Sequence, residues 1–368
     1  MKTAHLHPYT VSGIRLSSTI PWNIVRTNAP SFWKHVKGIS PVVAVIDTGI
    51  DPAHPEFDGR IYKPQVFCGG IMSDEEGHGT HVAGTIAGKT QGMAPGARIM
   101  PLKIKFGVAE TVKQINDAFF YCYDHMLTCA DEDKIVAINC SFDGPHSPMM
   151  AYFIRELQAM GVAIVVAAGN KGDGDHLTDE AFSYPGHLYE VITSAALDSN
   201  GKVAGFSSSY EGVDLAAPGV EVPSAWPGGT YKALSGTSMS TPHVTGAVAN
   251  IQGAFYTKHS RWATSDELER ILFTGCIEPS DINHKLVGRG TLFLPASIKK
   301  VDVRFTDQEP FITPAGRMVI PVRIISEGLG DTVDWSPDNP DRVAVSRPGK
   351  TVELFNGRRD YYLHTSLF

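Results

Sequence analysis

Several absences narrow the class of this 368-residue chain before any motif is read. Its longest apolar run, Val162 to Ala168, falls far short of the roughly 20 residues that a membrane-spanning helix needs. The opening stretch, Met1 to Tyr9, carries one Lys and no apolar run behind it, so a secretory signal is not expected. Cysteine is sparse and odd in number: Cys68, Cys122, Cys129, Cys140 and Cys276 show no paired metal-ligand spacing. That pattern argues for reduced thiols in a cytosol rather than a disulfide framework. Cys122 and Cys140 read as small buried apolar residues. There is no long basic run, and the formal charge is -7, so neither nucleic acid nor an anionic membrane is suggested as a partner. Internal repeats and low-complexity tracts are also missing.

What remains is a chain of ordinary globular composition, 42% hydrophobic and 19% charged, long enough to bury a large core and to exceed one domain. Short β-branched runs at Val42 to Ile46, Ile135 to Cys140, Val162 to Ala167, Val191 to Ala195 and Val213 to Ala216 read as strands. Between them, Val108, Val112, Ile115, Phe119, Cys122 and Met126 recur at helical spacing, as do Met149, Phe153, Leu157 and Met160. Thr264-Ser265-Asp266-Glu267 reads as a capping box opening a helix through Phe273. The alternation predicts an α/β fold, a mostly parallel central sheet with helices on both faces. After about Lys300 Pro becomes frequent and Val301 to Phe305 alternates, predicting a small separate α+β unit over 301–368.

Three stretches carry chemistry: Val43 to Gly49, containing Asp47; His78-Gly79-Thr80-His81-Val82-Ala83-Gly84; and Gly236-Thr237-Ser238-Met239-Ser240-Thr241-Pro242-His243. They supply an acid, a base and a nucleophile in the chain order Asp, His, Ser. Asp47 directly follows a strand candidate, where ligands of parallel sheets bind. Ser238 precedes the apolar segment Val244 to Ile251, which places it at a helix N-terminus with free N–H groups and the positive end of the dipole. On these motifs the chain resembles the subtilisin-like serine proteases. The resemblance implies a serine endopeptidase: Ser238 as nucleophile, His78 as proton shuttle and Asp47 holding the imidazole, the roles known from subtilisin. Ala167-Ala168-Gly169-Asn170 resembles the segment that carries the oxyanion Asn, with the Ser238 N–H as second donor. Asn139 to Gly144 resembles the family's substrate-pairing edge, which makes Ser141, Phe142, Asp143, Gly144, Ala168 and Gly169 candidate substrate-binding residues. Here Phe142 and Asp143 depart from the family's Leu and Gly, and Lys171 replaces an acid. The two opposed charges leave specificity open. His81, Thr237 and His243 belong to the motifs but are expected to support the fold.

Leu6-His7-Pro8-Tyr9, Gly169 to Asp175 with Ser183-Tyr184-Pro185, and Gly288 to Leu294 resemble the intracellular subtilisins in particular. That likeness implies that residues 1–18, with Leu6, Pro8 and Tyr9, form an inhibitory extension across the site, followed by a catalytic domain over 19–300. Pro8 suits the task because it fixes φ and lacks an N–H for strand pairing. Calcium is the implied cofactor, although Ala87 to Pro95 runs on where a strong calcium loop is usually inserted. Asp173, Asp175, Thr178, Asp179 and Glu180 offer oxygens for a hard cation, the reading favoured here, with an acidic surface loop as the alternative. The segment from Gly316 to Trp335 resembles stalk or copper-amine-oxidase-like modules, with no histidine cluster to suggest copper. Expected partners are protein or peptide substrates and the chain's own extension, with a homodimer left open. Two alternatives stand: a catalytically silent protease-like binding protein, and attachment to the cell envelope through the C-terminal module.

Overall fold

The described residues of the computed structural model are 3–6, 9–13, 20–174, 184–277 and 284–295, with strands at 311–312, 318–319, 332–336, 339–347 and 350–355. The chain divides into two compact units, Met1–Ile298 and Lys299–Phe368. In the first, the strands are β1 (His5–Leu6), β2 (Thr10–Gly13), β3 (Val42–Asp47), β4 (Gln65–Val66), β5 (Arg98–Lys103) and β6 (Ile135–Cys140). They continue with β7 (Phe142–Asp143), β8 (Ala163–Ala167), β9 (Val191–Leu197), β10 (Leu215–Pro218), β11 (Val222–Trp226) and β12 (Thr230–Ser235). The helices are α1 (Trp22–Arg26), α2 (Ala29–Phe32), α3 (His78–Ala87), α4 (Thr111–Thr128), α5 (Pro148–Ala159), α6 (Thr237–His259), α7 (Ser265–Gly275) and α8 (His284–Val287).

Seven strands form a parallel sheet in the order β10-β9-β8-β6-β3-β5-β4. Its strands are near-continuous apolar runs because both faces are covered. Along β3 the side chains alternate between two cores: Val43 and Val45 pack with residues of α3 and α6, while Val42, Ala44 and Ile46 pack with residues of α4 and α5. Helix α6 is buried from Thr237 through Phe255, which is why its sequence shows no polar stripe. The capping box forms as the sequence predicts, the Thr264 side chain accepting from the Glu267 N–H and the Glu267 carboxylate from the Thr264 N–H. No described helix is long and apolar enough to cross a membrane.

Two features escape sequence reasoning. Strand β5 is interrupted by Pro101, which lacks a ladder N–H. The sheet tolerates it because the neighbouring β4 pairs only with Leu102 and Lys103. The β11–β12 hairpin turns at Pro227-Gly228-Gly229, where both glycines have positive φ, a signal readable in the sequence. In the second unit, β13 (Phe311–Ile312) pairs antiparallel with β14 (Met318–Val319). A three-stranded antiparallel sheet follows, β15 (Thr332–Ser336), β16 (Asn339–Arg347) and β17 (Lys350–Phe355).

Candidate active site

Strand order reverses at β3, which has β5 on one side and β6 on the other. The crevice at such a switch point is where a parallel sheet receives ligands, and Asp47 is the last residue of β3. His78 opens α3, and its Nδ1–H donates to Asp47 Oδ1 at 2.8 Å, with side chains 0% and 1% exposed. Gly79 makes this approach possible: a Cβ there would lie 2.2 Å from the Gly49 carbonyl oxygen and 3.2 Å from Asp47 Cβ.

Asp74, which sequence reasoning overlooks, braces the turn before α3. Its carboxylate accepts from the N–H groups of Gly77 (2.8 Å) and Thr80 (2.8 Å) and from the hydroxyls of Thr48 (2.8 Å) and Thr80 (2.6 Å). Thr48 Oγ1 in turn accepts from the Gly79 N–H at 2.9 Å. One buried carboxylate thereby ties the residue after Asp47 to the residue after His78. Its signal is an acid four residues before the His, satisfying orphan N–H groups at a helix start.

Ser238 is the second residue of α6 and fully buried. Pro242, four residues on, has no N–H to donate to the Ser238 carbonyl, and that carbonyl accepts instead from Ser141 Oγ at 3.0 Å. Ser141 is held from behind: Thr245 Oγ1 donates to Asn139 Oδ1 (2.9 Å), and Asn139 Nδ2 donates to Ser141 Oγ (2.9 Å). The Ser238 hydroxyl donates to the Ser141 carbonyl at 3.1 Å, while His78 Nε2 is buried with no hydrogen-bond partner among the described residues. Asn170 Oδ1 accepts from the Thr237 N–H (2.9 Å) and hydroxyl (2.8 Å), and Thr237 Oγ1 accepts from the Gly169 N–H (3.2 Å). With its carbonyl so held, Asn170 turns Nδ2 toward Gly236, where a Cβ would lie 3.0 Å from it.

The candidate substrate residues lie on two neighbouring strand ends. Ser141, Phe142, Asp143 and Gly144 extend β6, and Ala168 and Gly169 extend the adjacent β8. The N-terminal segment runs along the first of these. β1 pairs antiparallel with β7, Leu6 opposite Phe142 and His5 opposite Asp143, and the Gly107 N–H donates to the Ala4 carbonyl at 3.2 Å. Ala4 is fully buried. The Tyr9 ring sits 5.0 Å from the His78 ring, and β2 then pairs antiparallel with β12, Thr10 opposite Ser235. Burial and the nearby Asp47 push the Tyr9 hydroxyl up to about 12, so it stays neutral. Pro8 lies outside the described residues, as do Asp175, Thr178, Asp179 and Glu180.

Burial pulls the His78 imidazolium pKa down, but Asp47, Asp74 and Glu76 outweigh it and leave it above the ordinary histidine value. His81 and His243 behave oppositely. Burial lowers them to about 3 and about 4, and each bonds a backbone carbonyl, Val222 and Met239 respectively, as expected of framework residues. Among the described residues no group of three or more His, Cys, Asp and Glu side chains could hold a metal ion. The Ala87 to Pro95 connection is closed by protein donors, the Glu56 carboxylate accepting from the Thr90 N–H (2.7 Å) and the Tyr231 hydroxyl (3.0 Å).

Residues 38–285 match the profile described as the subtilase family, and residues 297–366 that of the copper amine oxidase N-terminal domain. An intracellular serine protease of Paenibacillus polymyxa is 36% identical over 310 residues, covering 80% of this chain and 92% of that protein. The major intracellular serine protease of Bacillus subtilis (strain 168) is 36% identical over 290 residues, 75% of this chain and 88% of its own length. An alkaline protease of Shouchella clausii is 34% identical over 247 residues, 64% and 60% respectively.

Because Glu76 contributes to the raised His78 value, Glu76→Gln should lower it. An NMR titration of the imidazole checks this, and an unchanged midpoint would show that solvent screens the Glu76 charge.

Proposed function

Because the chain belongs to the subtilase family and is a serine-type endopeptidase, we propose that Asp47, His78 and Ser238 are its triad and that its own N-terminal segment keeps it latent. The observation that carries the triad is the 2.8 Å bond from His78 to Asp47, made where the strand order reverses. Ser238 Oγ attacks the substrate carbonyl while His78 Nε2 takes its proton. The imidazolium returns that proton to the leaving amine, and water then hydrolyses the acyl-enzyme by the same relay. Asp47 holds the tautomer and stabilises the imidazolium. The oxyanion receives the Ser238 N–H and Asn170 Nδ2.

Latency is supported by the placement of the segment. It pairs with β7 on one side of Ser238 and with β12 on the other, as an extended peptide would in β-augmentation. Tyr9 lies against His78, and the Ser238 hydroxyl is turned to the Ser141 carbonyl rather than to Nε2. Reaction therefore requires the segment to leave and Ser238 to rotate. The free thiols and the two intracellular relatives favour a cytosolic setting. Calcium is proposed only for the segment 173–180, on the chemistry of its hard oxygen donors, Asp173, Asp175, Thr178 and Glu180.

Replacing Asn170 by Leu should cut kcat by roughly a hundred- to a thousand-fold, the loss known for one oxyanion donor in subtilisin; near-full turnover would remove Asn170 from the mechanism. A chain starting at Ser18 should label at Ser238 with a fluorophosphonate and cleave peptides faster than the full chain, and equal rates would rule out latency. Chelation should lower the melting temperature; an unchanged Tm would exclude a structural ion.

A further inference from the structure

We propose that the guanidinium of Arg60 takes the place of a metal ion at the connection between α3 and β5, so that the helix bearing His78 is secured by an internal cation instead of calcium. The likeness to subtilisins implies a calcium loop at this point, and residues 88–97 do not fit one. An α-helix leaves its last four carbonyls without partners from within the helix. In α3 these belong to Gly84, Thr85, Ile86 and Ala87. The Gly88 N–H donates to the Gly84 carbonyl (2.8 Å), the Met93 N–H to that of Thr85 (2.9 Å) and the Ala94 N–H to that of Ile86 (2.8 Å). The fourth, on Ala87, accepts from Arg60 Nη1. The same guanidinium reaches the Pro95 carbonyl through Nη1, at 2.5 Å, and the Glu56 carbonyl through Nη2. Three carbonyl oxygens from three separate segments thus converge on one charge, as they would on a bound hard cation. That charge also sits at the negative end of the α3 dipole.

Arg60 is itself fixed in place. Its N–H donates to the Phe57 carbonyl (2.9 Å) and its carbonyl accepts from the Ile99 N–H (2.8 Å), so its backbone links the 3₁₀ turn Pro55–Phe57 to β5. Burial draws the guanidinium below its ordinary pKa, Glu56 and Asp58 act in the opposite direction, and an arginine stays charged under both influences. The oxygens that a metal would need are already committed. Glu56 is buried, its Oε2 accepting from the Thr90 N–H (2.7 Å) and its Oε1 from the Thr90 hydroxyl and the Tyr231 hydroxyl, the latter at 3.0 Å. The Glu56 backbone carbonyl also receives the Lys89 N–H at 3.1 Å. Gln91 Oε1 is buried without a partner among the described residues, but one oxygen falls well short of the roughly six to eight that calcium takes. A divalent ion entering here would in addition face the Arg60 charge at close range.

The test uses the full chain carrying Ser238→Ala, so that no result depends on turnover or self-cleavage, and compares melting temperatures in millimolar calcium and in chelator. Arg60→Met should lower Tm by roughly 4–10 °C, the range for losing a charged donor with several acceptors in a domain of this size, and by the same amount in both solutions. It should also speed amide hydrogen exchange over residues 84–95 by about ten-fold or more. Glu56→Gln should lower Tm as well, while leaving the difference between calcium and chelator as it is in the parent chain. If Arg60→Met does not fold, Arg60→Lys, which keeps the charge but not the planar fork, should show a smaller loss of the same kind. Unchanged Tm and exchange after removal of the guanidinium would overturn the proposal. So would a calcium effect that shrinks in Glu56→Gln, because a metal would then be using that carboxylate. An ion held by residues 173–180 would raise Tm equally in every variant, so the fate of that reading is separate.

Discussion

The bond between His78 and Asp47 depends on a steric vacancy. A helix can bring its first side chain against the end of β3 only if its second residue has none, and Gly79 supplies that, since its Cβ would overlap the Gly49 carbonyl. The approach is then fixed by Asp74, whose carboxylate gathers donors from both the loop after β3 and the first turn of α3. Through these contacts the turns that carry His78 and Asp47 are held in place, although Asp47 Oδ2 and His78 Nε2 are buried with no hydrogen-bond partner among the described residues. The same carboxylates bias His78 toward its charged form.

Helix α6 solves a different problem. Ser238 at a helix start gains free N–H groups, and its carbonyl must find a partner elsewhere. Pro242 releases the Ser238 carbonyl from the helix, and Ser141 takes it up, so the turn bearing the hydroxyl is tied to the end of β6. Thr237 does the corresponding work on the other side by fixing Asn170. Neighbouring parallel strands deliver both supports, and for that reason the sheet order matters to the chemistry.

The N-terminal segment pairs with two separate strand edges. Its two short strands lie on β7 and β12, on either side of the buried Ser238. Edge strands offer unpaired backbone groups to any extended chain, and here the nearest available chain is the protein's own. Tyr9 lies against His78, and the Ser238 hydroxyl is bonded to the Ser141 carbonyl.

Much of this was legible in the amino-acid sequence because it is local. The β-branched runs, the capping box at Thr264 and the glycine-flanked Asp47, His78 and Ser238 each depend on residues close in the chain. β5 was hidden because Pro101 breaks its apolar run, and Asp74 because its importance lies in five donors drawn from four residues. The opposed signs of Asp143 and Lys171 could be read directly, but not their meeting at 3.4 Å. By itself the sequence determined the family motifs and the layered fold, since side-chain chemistry and hydrophobic periodicity are properties of short segments. Only the tertiary structure decided which donors reach Asp74, which carbonyl holds Ser141 and which edges receive the N-terminal segment. Those pairings join residues up to two hundred or so positions apart, and they exist only once the parallel sheet has brought its strand ends together.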